Sequence, residues 1–414
     1  MILIRLLNVG LRGATLLLKF VLLFSLARLL EPGQVGLYGL LAATVLYMAG
    51  VAGLGYSLYA TREIAAADVH ERTPIIRDQA VFCALAYVLV LPLSLLLFFS
   101  ETLPWRVAGW FFVLLVLEHV GVEVERILVA ASRQLLASVV LFLRNGAWVL
   151  VAVPLMWTNP AQRTLETVLA SWGTGAALAC SAGLVGVARI GTWHLFRAID
   201  WSSMRKGLRI GLPLLGGALA LKGLTTFDRI WVSAVGGLEV LGPYVLFIGI
   251  ANALKAFLNS SVFPFCYPGL VRAVAVGDRA RFRSGMRSMI LQTIAVTIPV
   301  VVLAVLLIRP LLGWIDRPIY SEHLNLFYWA QLAVGLYAAG QVAQCGIYAY
   351  RMDRRIIVGQ VAGLAVFVAA AAILTRPLGV TGVPVALCVA YASMLLINSA
   401  GFSRLPGTTT TRRQ

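Results

Sequence analysis

The sequence predicts an all-α integral membrane protein of about twelve transmembrane helices in two six-helix halves. Three observations carry this expectation: near-continuous apolar runs, a one-sided distribution of basic residues, and a motif that recurs half a chain apart. Of 414 residues, 60% are hydrophobic and 12% charged, and the mean hydropathy is +0.89. A bilayer span needs about 20 mostly apolar residues, and such runs follow one another almost end to end. The expected spans are 6–30, 35–60, 78–100, 105–130, 134–157, 165–187, 208–235, 239–265, 287–309, 323–350, 356–375 and 379–401. Turn residues mark several boundaries: "EPGQ" at 31–34, "TNPAQ" at 158–162, "VGG" at 235–237 and "RPLG" at 376–379. The first apolar run is too long for a cleaved signal peptide and leads straight into another span.

The charge pattern supplies the orientation. Of the 34 Lys and Arg residues, 22 fall in one set of alternating loops and 6 in the other. By the positive-inside rule the richer loops and both termini are cytoplasmic, as an even number of spans also demands. The net charge of +17 is thus largely topological, with a share left for anionic membrane lipids. The basic loops are short and lack interleaved aromatic residues, so no nucleic-acid partner is expected. The five cysteines lack metal or redox spacing and read as small apolar packing residues.

The repeat links "QVGLYGLLAAT" at 34–44 to "VLGPYVLFIGI" at 240–250, aligning Gly36 and Tyr38 with Gly242 and Tyr244. Each block opens the second helix of a six-helix set. Each set also has a "GLR" upstream, at Gly10–Arg12 and Gly207–Arg209, and a basic loop downstream. The expected organisation is an N-terminal half at 1–188, a cytoplasmic interfacial linker at 189–206, a C-terminal half at 207–401 and a cytoplasmic tail at 402–414. In the join, Trp193, Phe196, Trp201 and Met204 interleave with Arg197, Arg205 and Lys206, as in a helix lying on the membrane surface. Repeats of this kind build secondary transporters with the substrate site between the halves.

Six cations remain inside the spans: Arg12, Lys19, Arg144, Lys222, Arg229 and Lys255. A charge at mid-bilayer costs at least a few kcal/mol, so it usually faces a cavity or a partner. Asn8, Arg12, Thr15 and Lys19 step by four, three and four along one helical face. Lys222, Thr225, Thr226 and Arg229 make a similar stripe in the second half, and Asn252, Lys255 and Asn259 another. The buried acids are fewer: Glu118, Glu123 and Asp228, with His119 beside the first. Any one cation can be a structural partner or can snorkel to the interface. Together they point to a wet, cationic cavity for an anionic substrate. Tyr337, Gln341, Gln344 and Tyr348 form a neutral hydrogen-bonding face that suits sugar hydroxyls or helix–helix contacts. Asn8, Asn252, Gln341 and Gln344 are the candidate sugar contacts. Glu118, Glu123 and Asp228 are candidates for coupling an ion, H+ or Na+. No nucleophile–base spacing or metal-ligand cluster appears, so neither an enzyme nor a resident cofactor or metal is expected.

The stretch "SLARLLEPGQVGLYGLLAATVLYMAGVAGLGYSLYATREIA" (26–65) resembles the opening of bacterial Wzx-type polysaccharide flippases, in the multidrug/oligosaccharidyl-lipid/polysaccharide (MOP) exporter superfamily. Glu31 stands where that pattern usually has Gly before Pro32. "FDRIWVSAVGGLEVLGPYVL" (227–246) resembles the seventh-helix counterpart. The resemblance implies two six-helix bundles in a V around a central cavity. It also implies translocation of an undecaprenyl-pyrophosphate-linked glycan from cytoplasm to periplasm across the bacterial inner membrane. Other polysaccharide-assembly membrane proteins are then expected neighbours. Two alternatives stay open: a cation–drug antiporter of the same superfamily, and a membrane scaffold of a polysaccharide assembly complex.

Overall fold

Proline and glycine punctuate the chain where the sequence places its turns. Pro32 occupies the first turn of a helix after Glu31 in extended conformation, where its missing N–H and fixed φ carry no penalty. Thr164 accepts the Thr167 N–H at 3.2 Å, and Asp278 accepts the Arg281 N–H at 2.8 Å, so both cap helix starts. Gly237 adopts φ +75° and breaks one long helical stretch in two. The computed structural model describes residues 2–191 and 198–403, and it is helical with no strand among them.

Two compact units divide at Leu219/Ala220. The first holds α1 (Ile2–Leu29), α2 (Pro32–Ala52), α3 (Tyr56–Ala66), α4 (Val69–Ser94), α5 (Ala108–Ala130), α6 (Gln134–Phe142), α7 (Val149–Thr158), α8 (Leu165–Ala188) and the opening of α9 (Trp201–Ser261). The second holds the rest of α9, α10 (Phe263–Val276), α11 (Arg279–Ile315), α12 (Leu324–Ala349), α13 (Asp353–Leu378) and α14 (Gly382–Ser403). Among the described residues, nine helical segments are long and apolar enough to cross a membrane. Two of them, Trp201–Ser261 and Asp353–Ala400, each contain two helices. α12 adds a further long helix whose composition is lowered by Gln331, Gln341 and Gln344, which brings the total to about twelve.

The structure departs from the expected spans in several places, among them α4, which begins at Val69 rather than at 78. The span expected at 35–60 ends at Ala52, and a separate helix α3 starts after Gly55. The span expected at 239–265 ends at Ser261, and α10 occupies much of the expected basic loop. α11 overruns its expected 287–309 at both ends, from Arg279 to Ile315, because the flanking arginines and apolar residues are good helix formers. α6 and α7 are joined by a π-helical turn at Leu143–Ala147. In the expected linker, helix begins at Trp201 and runs straight into α9, while 192–197 lie outside the described residues, with Trp193, Phe196 and Arg197 among them. Residues 404–414, most of the expected tail, also lie outside them.

In the first unit a buried core joins α3, α4, α5, α6 and α8 through Ile64, Ile76, Val124, Leu128, Val140 and Ala179. The α2–α3 break meets the opening of α9. Gly55 has φ +75° and lies backbone to backbone against Gly211, and a Cβ on either residue would collide with the other's carbonyl. Tyr56 and Tyr59 pack on Gly207, and the Tyr59 hydroxyl lies 3.4 Å from Ser203 Oγ. In the second unit α12, α13 and α14 pack closely. α11 leaves Leu291, Ile298, Leu303 and Leu306 uncovered, a surface suited to lipid.

Gly211→Ala is expected to lower folded stability by roughly 1–3 kcal/mol, the usual cost of forcing atoms into a closed contact. A thermal melt of detergent-purified protein against Gly216→Ala, where a Cβ meets open space, checks this. Equal melting temperatures would show that the Gly55–Gly211 approach contributes nothing to stability.

Candidate functional site

Helix α5 carries polar residues on two faces. Glu118, Gly121 and Glu125 step by three and four; His119, Glu123 and Arg126 step by four and three. The first face meets the π-helical turn, from which Arg144 projects. Such turns are rare and recur at functional sites. The Arg144 guanidinium reaches Glu125 Oε2 at 2.8 Å and Glu118 Oε2 at 3.5 Å, with side-chain exposures of 7%, 21% and 2% for Arg144, Glu125 and Glu118. The Trp172 indole N–H donates to Glu118 Oε1 at 2.8 Å. Gly121 makes the approach feasible, because a Cβ there would stand 2.8 Å from Arg144 Cδ.

Lys19 lies in the field of this cluster, with Glu118, Glu125 and Arg144 as its charged neighbours. It is nonetheless exposed. Arg12, also exposed, lies near enough to act on Glu125. Asn8 Oδ1 is buried with no hydrogen-bond partner among the described residues. Thr15, the fourth member of the stripe, spends its hydroxyl on the Leu11 carbonyl at 2.8 Å.

The second face of α5 meets α3 and α4. Glu123 accepts from Gln79 Nε2 at 2.6 Å and from Arg126 at 2.9 Å, and Arg126 also donates to Ser57 Oγ at 2.8 Å. His119 Nδ1 lies 2.6 Å from the Tyr87 hydroxyl. Gln79, Cys83 and Tyr87, four apart along α4, line up opposite His119, Glu123 and Arg126.

The second unit centres on Asp228, which is fully buried. Its Oδ2 accepts from the Tyr244 hydroxyl at 2.8 Å and its Oδ1 from the Arg229 backbone N–H at 2.7 Å. Arg229 and Lys255 are its cationic neighbours. Lys255 Nζ stands 4.2 Å from the centroid of the Tyr337 ring and 5.8 Å from that of Tyr391, within cation–π range. The Tyr337 hydroxyl accepts from Gln341 and, at 3.4 Å, from Asn259. Gln341 and Gln344 line a cavity of about 10 Å³ with Tyr337, Tyr391, Met394 and Asn398, room for one water. Lys222 is exposed, and both Thr225 and Thr226 bond their hydroxyls to its carbonyl. An apolar groove of about 350 Å³ runs along α11, α12 and α14, lined by Ile290, Ile294, Ile298, Ala338 and Val342.

The six in-span cations therefore divide. Arg144 is a buried ion-pair partner rather than an open cavity cation. Arg229 lies against Asp228, and Lys255 is held on tyrosine rings. Arg12, Lys19 and Lys222 are exposed. Asn252 is half-buried on the Lys255 helix. Sequence reasoning missed Glu125, Trp172, Gln79, Tyr87 and Tyr391 as partners. The four-residue spacing of Gln79, Cys83 and Tyr87 was a signal for a polar face, but Trp172 and Tyr391 look like ordinary apolar residues of a span. Among the described residues no group of three or more His, Cys, Asp or Glu could hold a metal ion.

Arg144→Ala leaves Glu118 and Glu125 without their counter-charge and is expected to cost about 3–5 kcal/mol, the usual result of breaking a buried pair. Lys19→Gln is expected to leave stability within about 0.5 kcal/mol, as for surface changes. Thermal melts and gel-filtration profiles of both variants check the contrast, and similar losses in the two would refute this division of roles.

No curated protein sequence matches the chain significantly. Solved structures do. The chain is similar to an inward-facing multidrug resistance MATE family transporter of the MOP superfamily, with TM-score 0.73, 14% identity and coverage of 93% of this chain and 94% of that one. It is also similar to the lipid II flippase MurJ in an inward closed conformation, with TM-score 0.75, 12% identity and coverage of 98% and 88%. At such identities the likeness establishes the fold, that of MOP-superfamily membrane transporters. The family model described as "Polysaccharide biosynthesis protein" matches residues 6–274, about two thirds of the chain. The chain belongs to that polysaccharide biosynthesis family.

Proposed function

We propose that this protein is a flippase that moves an undecaprenyl-pyrophosphate-linked oligosaccharide between membrane leaflets by alternating access. The observation that carries the reading is the state of Lys19: an exposed cation on an apolar helix, beside Glu118, Glu125 and Arg144. Lys222 stands exposed in the second unit on the corresponding polar stripe. A pyrophosphate offers such cations short, charge-assisted hydrogen bonds. The amide and tyrosine face of Lys255, Tyr337, Gln341 and Gln344 suits sugar hydroxyls, and the groove along α11, α12 and α14 suits an isoprenoid tail. Membership of the polysaccharide biosynthesis family supports the substrate class.

In this reading the head group neutralises the exposed cations in one state and is released in the other, while the tail stays in lipid. Differential affinity between the two states drives the shift. Transport runs from the cytoplasmic to the periplasmic leaflet of the bacterial inner membrane, with both termini cytoplasmic as the basic loops require. The cation–drug antiporter reading needs a carboxylate open to a cationic ligand. Glu118, Glu123 and Asp228 are all buried and hydrogen-bonded, which favours the anionic substrate. A pure scaffold gains no use from exposed intramembrane lysines.

The test is leaflet transfer of an undecaprenyl-pyrophosphate oligosaccharide in proteoliposomes. Lys19→Ala and Lys222→Ala are each expected to cut flux by about tenfold or more, the loss of one charge-assisted contact worth roughly 1.5–3 kcal/mol. Full flux in both variants would make these cations bystanders. No flux in wild type, with the host's own lipid-linked glycan included, would refute the flippase reading.

A further inference from the structure

We infer that His119 and Glu123 form a proton-binding site at the break between α2 and α3. The inference deepens the transporter reading by selecting one of its three candidate carboxylates, and proton binding itself is tested without substrate.

The selection comes from hydrogen-bond accounting. Glu118 uses one oxygen on Trp172 and the other on Arg144. Asp228 uses one on Tyr244 and the other on the Arg229 N–H. Their cationic neighbours Arg144 and Arg229 each leave a buried Nε unpaired, but a guanidinium keeps its proton and offers no second protonation state. Beside Glu123 stands His119, which is 1% exposed and whose Nε2 has no hydrogen-bond partner among the described residues. That nitrogen points at Glu123 Oε1 from 3.9 Å, too far for a hydrogen bond. Leaving a buried nitrogen unpaired is unfavourable, so the arrangement is poised rather than satisfied.

The local space permits it to close. A Cβ on Gly53 would stand 3.3 Å from Ser57 Oγ, 3.6 Å from Glu123 Oε1 and 3.7 Å from His119 Nε2. Three polar atoms thus surround one small gap beside the helix break. When a proton binds, imidazole becomes imidazolium: Nδ1–H donates to the Tyr87 oxygen, and Nε2–H donates to Glu123 Oε1 once a modest movement brings them to about 2.8 Å. The proton comes from solvent and returns there. The solvent-facing side of the pair is marked by Arg126, which bonds Glu123 while its side chain is 41% exposed; the guanidinium itself carries no proton in this step.

The groups facing the pair are few. On α5 itself Arg126 opposes a second positive charge. From α4 come Tyr87, Cys83 and the neutral Gln79; from α3, Ser57; and from α8, Cys180, whose thiol donates to the Leu117 carbonyl. Ser57 lies on α3, the helix that meets the opening of α9 through Gly55 and Gly211. Closing the His119–Glu123 gap therefore acts beside the joint where the chain leaves the first unit.

The experiment measures proton uptake by the purified full-length chain in nanodiscs across about pH 4 to 8, the range in which histidine and carboxylates titrate. His119→Gln is the principal variant, since its amide still bonds Tyr87 but cannot ionise. It is expected to lose about one titrating proton per chain relative to wild type. Glu118→Gln and Asp228→Asn are expected to keep the wild-type step. Infrared difference spectra of Glu123 provide a second measurement in the wild type itself: a carboxylate band that shifts across the same step supports the pair. Wild-type titration in His119→Gln, together with an unchanging Glu123 band, would overturn the inference. If the step is present but no lipid-linked glycan moves at any pH, the proton site stands and the flippase reading fails.

Discussion

A charge inside a bilayer has to be neutralised, hydrated or bonded, and one helix of the first unit carries out that task on both of its faces. Toward the π-helical turn, Glu118 and Glu125 hold Arg144. Toward α3 and α4, Glu123 holds Arg126 and Gln79. The two faces alternate along the same turns of α5, so the helix cannot rotate about its axis without stranding several charges at once. The cost of leaving any of them unpaired runs to several kcal/mol, which is large against the total stability of a folded domain. Ion pairing therefore fixes the rotational setting of α5, and the helices packed on it inherit that setting.

Small residues then make the pairing geometrically feasible. Gly121 lets the Arg144 stem cross the helix at contact distance, and the Gly55–Gly211 approach brings α9 onto the α2–α3 break. In lipid there is little hydrophobic force between helices, so close backbone packing and interhelical hydrogen bonds hold them together. The second unit uses the same means more sparingly. Asp228 is satisfied by Tyr244, and Tyr244 is the repeat counterpart of Tyr38. Tyr38 in turn stands edge-on to Trp172, which bonds Glu118. Each repeat tyrosine thus lies beside the saturated carboxylate of its own unit, directly in one case and through an indole in the other.

Saturation of the buried acids leaves the exposed cations to define the chemistry on offer. Arg12, Lys19 and Lys222 are exposed, whereas Arg144 is held in its ion pairs and Lys255 lies against aromatic rings. The distinction separates binding groups from framework within a set that composition alone treats as equal. Two of the in-span cations lie against acids: Arg144 is paired with Glu118 and Glu125, and Arg229 neighbours Asp228.

The sequence by itself determined the helical class, the approximate number of spans, the turn positions at Pro32, Pro160 and Gly237, and the presence of intramembrane charge. These follow from hydropathy and backbone preference, which act locally and so can be read residue by residue. It did not reveal that the second helix stops at Ala52, because "VAGLGYSLYA" stays apolar through the break and the left-handed turn at Gly55 is required by contact with Gly211. Nor did it reveal which cations are paired. Arg144 and Lys19 look alike in the sequence, each a lone basic residue in an apolar run. Only the tertiary structure brings the ion-pair partners Glu118 and Glu125 to Arg144, because they lie 19 or more residues away in sequence, and pairing depends on distance in space.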